Sequence, residues 1–370
     1  MVDMLVSGIL LLSALSYLLL HVFLWRGLKR EPPSVSDPQH SFSIVIAARN
    51  EESHLLRCIE SAARQRYPAD RFEVIVVDDR STDRTAEIIA GASKQFPNIR
   101  SVAILRNETD MPNKKNALRE GINISRYEIL AFTDADCTVP HNWLEQLSSH
   151  FTDSTGVVAG YSPYDVTGLP WIGKKYLHVE ELLNSVYAAG AAAIGRAYMC
   201  TGRNLAYRKN VYDEVGGFEK IKHSVSGDDD LFLQLVRTET SWGIRYMFPP
   251  GSHVRTVPPF SLNAFINQRT RHISASKFYT FDTKAALAVI HLFPFIILAS
   301  YFWLPLTAVI IAMIKINIDG MVLAKGADKF GETISIPEFI AGELLLPLYS
   351  LIVGPIGFLK NFSWKGETPS

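Results

Sequence analysis

The sequence is poor in cysteine and has no excess of either charge. Only Cys58, Cys137 and Cys200 occur in 370 residues, too scattered for a disulfide framework or a CxxC metal site. We therefore expect three free thiols and a reducing compartment. Lysine plus arginine equals aspartate plus glutamate, at 37 each, so no basic excess points to nucleic acid as a partner.

Two common glycine motifs for nucleotide binding are also missing from the sequence. Neither GxGxxG nor GxxxxGK[ST] follows a predicted strand. The first would bring a dinucleotide pyrophosphate to a helix N-terminus, and the second would cradle the phosphates of a nucleoside triphosphate. A dehydrogenase and a P-loop ATPase are therefore disfavoured.

What the sequence does have is long apolar stretches near both ends. Residues 4–25 contain no Asp, Glu, Lys or Arg, and about 22 residues suffice to cross a hydrocarbon layer of about 30 Å. A cleaved signal peptide is the alternative, but it would have a shorter apolar region, a basic start and a cleavage site. Arg26, Lys29 and Arg30 follow the stretch and only Asp3 precedes it, which predicts a cytoplasmic location for the next segment.

The C-terminal apolar region leaves the number of membrane crossings open. Residues 285–316 are long for one crossing and short for two, because Pro294 and Pro305 either kink or turn the chain. A further apolar stretch covers residues 337–358. Between these stretches, residues 319–335 mix apolar and charged side chains, as in either an interfacial amphipathic helix or a connecting loop.

The middle of the chain alternates short apolar strands with helical periodicity. Strands are predicted at 43–48, 72–77, 101–105 and 129–132, and helices at 53–64, 85–92 and 114–122. This alternation predicts an α/β fold with a mostly parallel sheet covered on both faces. We divide the chain into an anchor at 1–30, a proline-containing linker at 31–39, a cytoplasmic domain at 40–280 and a membrane region at 285–360.

Carboxylates follow three of the predicted strands, where ligands bind in such sheets. They are Glu51, Asp78 with Asp79, and Asp134 with Asp136. Any one of them alone is as readily a helix cap or turn residue. Asp134 and Asp136, two apart in a segment expected to be extended, would face the same side and suit Mg²⁺ or Mn²⁺ beside a diphosphate.

Two later motifs are candidates for catalysis and phosphate binding. Asp228 and Asp229 precede a predicted helix at 231–236, where they provide either a general base or an acidic first turn favoured by the helix dipole. Gln268 and Arg271 lie just before the membrane region. A guanidinium there suits bidentate contact with phosphate, and lipid head groups are the alternative partner.

These motifs, in this order, resemble the membrane-bound branch of the family-2 glycosyltransferases with the GT-A fold. The resemblance rests on ARNE at 48–51, VDDRSTD at 77–83, KKNAL at 114–118, DAD at 134–136, TGRNLAYR at 201–208, VGGF at 215–218, GDDDL at 227–231, QRTR at 268–271 and WKG at 364–366. It covers nearly the whole chain.

The resemblance implies a role for each matching residue. The donor, a nucleotide sugar with uridine diphosphate as its carrier, would be bound by Glu51, Asp78, Asp79, Lys114, Asp134, Gln268 and Arg271. The metal would be held by Asp134 and Asp136, of which Asp136 is the more direct ligand. The general base of an inverting transfer would be Asp228, with Asp229 as the alternative.

One departure from the family pattern bears on the acceptor. His272 stands where the family's QxxRW motif has tryptophan, so processive polymer synthesis becomes less expected than transfer of a single sugar to a membrane lipid. Arg203 and Asn204, together with His272, are the acceptor-site candidates. A polysaccharide synthase and a catalytically silent nucleotide-sugar-binding subunit are the alternative functions.

Overall fold

The computed structural model describes residues 2–31, 40–107, 109–259 and 261–359. Residues 32–39 of the expected linker and the WKG motif at 364–366 lie outside the described residues.

A seven-stranded sheet forms the centre of the globular part. Its strands run in the order β3-β2-β1-β4-β7-β6-β8, and within it only β7 is antiparallel to its neighbours. The described strands are β1 (Phe42–Ala48), β2 (Phe72–Asp79), β3 (Ile99–Ile104), β4 (Ile129–Phe132), β5 (Cys137–Thr138), β6 (Thr155–Gly160), β7 (Leu205–Arg208), β8 (Gly243–Met247) and β9 (Arg255–Thr256). The predicted α/β class with a mostly parallel sheet is confirmed.

Helices cover both faces of this sheet and extend from it. They are α1 (Val2–Leu28), α2 (Leu55–Ala63), α3 (Thr85–Gln95), α4 (Asn113–Asn123), α5 (Trp143–His150), α6 (Trp171–Ala193), α7 (Lys209–Glu214), α8 (Asp230–Glu239), α9 (Leu262–Ala275), α10 (Phe281–Ser300), α11 (Pro305–Phe330) and α12 (Ile336–Leu359). Along β1, Ile44 and Ile46 pack in one core and Val45 in the core on the opposite face. The strand is therefore apolar at consecutive positions because both of its faces are buried.

Four of the described helices, α1, α10, α11 and α12, are long and apolar enough to cross a membrane. Pro305 begins α11, and the chain turns between residues 301 and 304. Pro294 lies inside α10 without ending it. The chain therefore turns before Pro305 and not at Pro294. Pro305 is tolerated because it lies in the first turn of α11, where its missing N–H is not needed.

Of residues 319–335, expected as an interfacial amphipathic helix or a connecting loop, residues 319–330 form the second half of α11. They stay helical because Val322, Leu323 and Phe330 are buried in the core shared with the globular domain. Gly331 ends the helix in a left-handed conformation with φ 66°, as glycine commonly does at this position.

Helix α6 joins the globular domain to α1 through a close crossing at two glycines. A β-carbon added to Gly27 would lie 2.1 Å from the carbonyl oxygen of Gly190, whereas one added to Gly8 on the same helix would meet nothing within 4 Å. We expect Gly27→Ala to lower the unfolding stability in detergent by about 1–3 kcal/mol, because the helices must separate. Gly8→Ala is the matched control and should leave the unfolding midpoint unchanged or slightly raised. Equal midpoints for the two variants would contradict the crossing.

Candidate active site

A cavity of about 1320 Å³ lies at the carboxyl ends of the central strands. Its walls include the residues after β1, β2 and β4, the acidic turn before α8, and helix α9. It continues between α10, α11 and α12. Groups that are far apart in the sequence therefore face one space, which reaches from the sheet to the long apolar helices.

The loops after β1 and β2 support each other at the mouth of this cavity. Asn50 and Arg80 follow the two strands and adopt positive φ angles of 54° and 56°, a conformation uncommon for residues other than glycine. The Asn50 side chain accepts a hydrogen bond from the Thr82 amide at 2.8 Å, and the Asn50 amide donates to Ser81 Oγ at 3.1 Å. Strained backbone held by such contacts is typical of ligand-binding loops.

Of the three carboxylates predicted at the ends of β1 and β2, two lie in the cavity wall. Glu51 and Asp79 line the cavity, and Asp79 is buried and accepts a hydrogen bond from Arg80 Nε at 2.8 Å. Asp78 is outside the lining and instead accepts from the Ser81 amide at 3.1 Å. Asp78 thus stabilises the turn after β2, the role considered above as its alternative.

Asp134 and Asp136 lie on a turn, not on the extended segment expected from the sequence. The Cys137 amide donates to the Asp134 carbonyl at 3.0 Å and closes a turn between β4 and β5. Both carboxylates nevertheless line the cavity. The expected shared direction is thus reached through the turn, whose closure depends on where β5 pairs with β9.

The donor atoms of this turn fit a hard divalent cation. Ligand atoms of Asp134, Asp136 and Cys137 lie within 4.8 Å of one another. Burial, followed by the charge of Asp134, raises the pKa of Asp136, so a bound cation would relieve an unfavourable charge. Burial also raises the pKa of the Cys137 thiol, which donates to Asp136 Oδ1 at 3.4 Å. The two carboxylates are therefore the fitting ligands for Mg²⁺ or Mn²⁺.

Lys114 connects the metal-binding candidates to the acidic turn before α8. Its ammonium lies 3.1 Å from Asp134 Oδ1 and 3.0 Å from Asp228 Oδ2. Burial alone would lower the pKa of Lys114, but the charges of Asp134 and Asp228 outweigh burial and raise it. The residue therefore stays protonated and carries positive charge to the centre of the cavity.

Asp228 and Asp229 differ in their surroundings although they are adjacent. Burial disfavours the charge of Asp228, but Lys114 and Lys115 outweigh it and lower the pKa. The pKa of Asp229 is raised by burial and by the charge of Asp228. Its carboxylate accepts from the Gly202 amide at 2.9 Å and from the Asp230 amide at 2.8 Å. Both residues line the cavity.

Lys115, whose separate role the sequence did not reveal, holds this acidic turn from behind. Its fully buried ammonium donates to the carbonyl oxygens of Ser224 and Ser226 at 2.5 and 2.7 Å. Burial lowers the pKa of Lys115 to about 8, although Asp228 counteracts that effect. Its position in the KKNAL motif was visible, but its contact with these carbonyls depends on the packing of α4 against the acidic turn.

Helix α9 brings Gln268, Arg271 and His272 to the cavity wall. The Tyr164 hydroxyl donates to Gln268 Oε1 at 3.4 Å, and Arg271 Nη2 donates to His272 Nε2 at 3.1 Å. Burial and the neighbouring Arg271 lower the pKa of His272 well below its usual range. His272 is therefore a neutral ring at neutral pH.

Arg203 and Asn204, both expected at the acceptor site, have different positions. Arg203 lines the cavity but is buried, and it pairs with Glu181 on α6 at 2.9 Å. Asn204 is fully buried outside the lining, where its amide donates to the Tyr161 and Ser252 carbonyls at 2.8 Å. The expectation for Asn204 is corrected, because these backbone contacts satisfy its side chain away from the cavity.

The Arg203–Glu181 pair tests how much an unpaired buried charge lowers the unfolding stability of the protein. We expect Arg203→Met to lower the unfolding stability in detergent by about 3–5 kcal/mol, because Glu181 would be left as an unpaired buried charge. The double variant Arg203→Met with Glu181→Met should recover much of this loss, since both charges are then absent. A double variant as unstable as the single one would contradict this explanation.

Together, the fold and the site define a class of protein: a GT-A-type α/β domain whose acidic strand ends face one large cavity. Residues 43–216 match the sequence model described as Glycosyl transferase family 2. The match covers just under half of the chain and agrees with the family-2 glycosyltransferase resemblance that the motifs in the sequence indicated.

Known proteins similar to this chain include two curated relatives. Over 189 residues it is 29% identical to "Glycosyltransferase AglE" of Haloferax volcanii, which covers 50% of this chain and 58% of the relative. Over 118 residues it is 32% identical to "Beta-monoglucosyldiacylglycerol synthase" of a Synechocystis species, covering 32% and 24%. The chain thus matches less than two thirds of the length of either relative.

A solved structure has a similar fold. It is the mannosyltransferase PcManGT from Pyrobaculum calidifontis, in complex with GDP-Man and Mn²⁺. The likeness covers 96% of each chain with a TM-score of 0.59, at 18% sequence identity. At this identity, the similarity concerns the fold.

Proposed function

We propose that the protein is an inverting, metal-dependent glycosyltransferase that moves one sugar from a nucleotide-diphosphate donor, with uridine diphosphate as the carrier, to a hydroxyl of a membrane lipid. The observation that carries the proposal is the single cavity. Acidic strand ends, the Asp228–Asp229 turn and the α9 arginine line its one end, and long apolar helices line the other.

In this proposal the donor lies across the ends of β1, β2 and β4. Glu51 and Asp79 face the cavity from the first two strands and would accept hydrogen bonds from the base and ribose. Lys114 and Arg271 offer positive charge to the diphosphate, and Gln268 lies one helical turn before Arg271. Asp78 contributes indirectly, through the turn that it stabilises.

Asp134 and Asp136 would hold Mg²⁺ or Mn²⁺ beside the diphosphate. When bound, such an ion neutralises charge that develops on the leaving group. Lys114 already pairs with Asp134. It would therefore orient that carboxylate and place the positive charge of its ammonium beside the same phosphates.

We propose Asp229, the alternative in the sequence analysis, as the general base, with Asp228 orienting Lys114. Asp228 Oδ2 is held by Lys114 at 3.0 Å, which lowers its pKa and makes it a weaker base. Asp229 has a raised pKa and is fixed by two backbone amides. A carboxylate oxygen retains a second lone pair, so Asp229 can still accept the proton of an attacking hydroxyl.

The acceptor side favours a lipid and a single transfer. His272 supplies a small neutral ring where a processive enzyme would stack its glycan on tryptophan. The cavity continues among α10, α11 and α12, which gives a lipid direct access. The Synechocystis relative named for monoglucosyldiacylglycerol synthesis supports the same acceptor class. The basic residues after α1 favour a cytoplasmic catalytic domain at the inner membrane.

The direct test measures release of nucleoside diphosphate by the detergent-solubilised protein. A panel of UDP-sugars and GDP-mannose is supplied with native membrane lipid and Mn²⁺, and lipid products are identified by mass spectrometry. We expect release from one donor, with one sugar added to a lipid. Long polymer would favour a polysaccharide synthase instead. Nucleotide binding without release or transfer would favour a silent nucleotide-sugar-binding subunit.

A further inference from the structure

A polar cluster occupies the part of the cavity that lies among the apolar helices. Lys315 on α11 pairs with Asp319 at 2.6 Å and with Glu343 on α12 at 2.5 Å. The Tyr17 hydroxyl on α1 donates to Asp319 at 2.6 Å. Charged side chains within membrane-crossing helices are costly, and they generally face a bundle interior or a cavity where they have a function.

Helix α6 of the globular domain closes one side of this cluster. Its Tyr187 hydroxyl is 2.8 Å from His21 Nε2 on α1, and His21 lies 3.2 Å from Asp319. Asp319 is eleven residues before the end of α11 at Phe330, or about 16 Å along the helix. The cluster therefore lies near the middle of α11, where α1 and α11 meet α6.

These polar contacts also hold α1, α6, α11 and α12 together, but that structural role alone would not require the side chains to line a cavity. Tyr17, Tyr187, Lys315, Asp319 and Glu343 all line the same cavity as Asp134 and Asp229. Glu343 is the most accessible of the three charged members, with 18% of its side chain exposed against 12% for Lys315 and 5% for Asp319. We call this lining of five residues the membrane chamber.

We propose that the membrane chamber binds the uncharged, hydroxyl-bearing head group of the acceptor lipid and presents its free hydroxyl along the cavity toward Asp229. This inference rests on the proposed function and names its acceptor class. The Lys315 ammonium has three N–H donors and pairs with Asp319 and Glu343, so its third N–H can donate to an ester or ether oxygen of the lipid and leave the free hydroxyl available. The apolar walls from α10, α11 and α12 accommodate the chains.

The charge of the chamber selects against lipid phosphates. Two carboxylates, Asp319 and Glu343, face one ammonium, Lys315. Lys315 is already paired with both carboxylates, so an anionic phosphate placed here would meet Asp319 and Glu343 without an unpaired cation among the five chamber residues. A diacylglycerol therefore fits the chamber better than a polyprenyl phosphate.

The test is photolabelling of the full chain in phosphatidylcholine vesicles with a photoreactive diacylglycerol, without any sugar donor. We expect the label on α11 and α12 within residues 315–350, with competition by unlabelled diacylglycerol and none by polyprenyl phosphate. Glu343→Gln should reduce labelling about tenfold, because Lys315 loses one of the two carboxylates that hold its ammonium in the chamber. Glu338→Gln is the matched control on the same helix, since Glu338 pairs with Lys175 outside the cavity lining, and it should label like the wild type.

Label elsewhere on the chain, stronger competition by polyprenyl phosphate, or undiminished labelling of Glu343→Gln would each overturn the proposal. The mapping and the competition use wild-type protein, so they decide the question even if Glu343→Gln does not fold. Because no donor is present, failure of sugar transfer is a separate result. Chamber labelling without transfer would contradict the proposed function, whereas transfer without chamber labelling would contradict only the chamber.

Discussion

Asp136→Ala is expected to reduce sugar transfer about a thousand-fold or more. Asp136 and Asp134 are the fitting oxygen ligands for a divalent cation at the cavity, and stabilising a diphosphate leaving group in this way contributes several kcal/mol. Each tenfold in rate corresponds to about 1.4 kcal/mol. The measurement is the initial rate of nucleoside diphosphate release with saturating Mn²⁺, repeated after chelation with EDTA and after Mn²⁺ is restored.

Two controls separate catalysis from folding in this experiment. Asp153→Ala changes the same residue type on an exposed turn outside the cavity and should leave the rate unchanged. The unfolding midpoint of metal-free Asp136→Ala should equal or exceed that of the wild type, because burial and Asp134 disfavour the native carboxylate. Full activity in EDTA, or more than a tenth of the activity in Asp136→Ala, would contradict the metal site.

Asp229→Asn is expected to lower kcat by about 10²–10⁴, the range typical for losing a general base. Asp228→Asn makes the same substitution at the adjacent residue and is the matched comparison. It should affect kcat less and raise the KM for the donor, because Lys114 loses a partner at 3.0 Å. Both constants are obtained from initial rates at varied donor concentration. A larger loss of kcat in Asp228→Asn would assign the base to Asp228, as the family resemblance implied.

The pH dependence gives an independent check on Asp229. A general base must be deprotonated, so kcat/KM should fall on the acid side as Asp229 takes up a proton. Burial and Asp228 raise the pKa of Asp229. The fall in kcat/KM should therefore occur at a pH above the ordinary aspartate pKa of about 4. The acid limb should disappear from the residual activity of Asp229→Asn and persist in Asp228→Asn. The same limb in both variants would exclude Asp229 as its source.

The direction of side chains near strand ends could not be predicted from the sequence. Asp78 and Asp79 were predicted to follow a strand that ends at residue 77, but β2 continues through Asp79, and its alternation turns Asp79 to the cavity and Asp78 to the Ser81 amide. Asp134 and Asp136 share a turn closed by the Cys137 amide. Periodicity describes residues inside regular elements, whereas beyond the strand end the direction depends on contacts between loops.

The sequence also did not reveal which polar side chains are buried. Asn204 follows Arg203 in a motif typical of an acceptor pocket, but three hydrogen bonds fasten Asn204 between Trp143, Tyr161 and Ser252. Lys115 stands beside Lys114 and points to backbone carbonyls instead of the cavity. Their partners are distant in the sequence, so no local pattern distinguishes a fastening side chain from a ligand-binding one.

The sequence by itself determined the α/β class, the acidic strand ends and the long apolar helices, because each depends on local periodicity, length and residue type. The tertiary structure alone decided that α11 is unbroken to Phe330, that Lys114 joins Asp134 to Asp228, and that Lys315 meets Glu343 in the cavity. These outcomes follow from contacts between separate elements, whose geometry is fixed only when the cores on both sides of the sheet are packed.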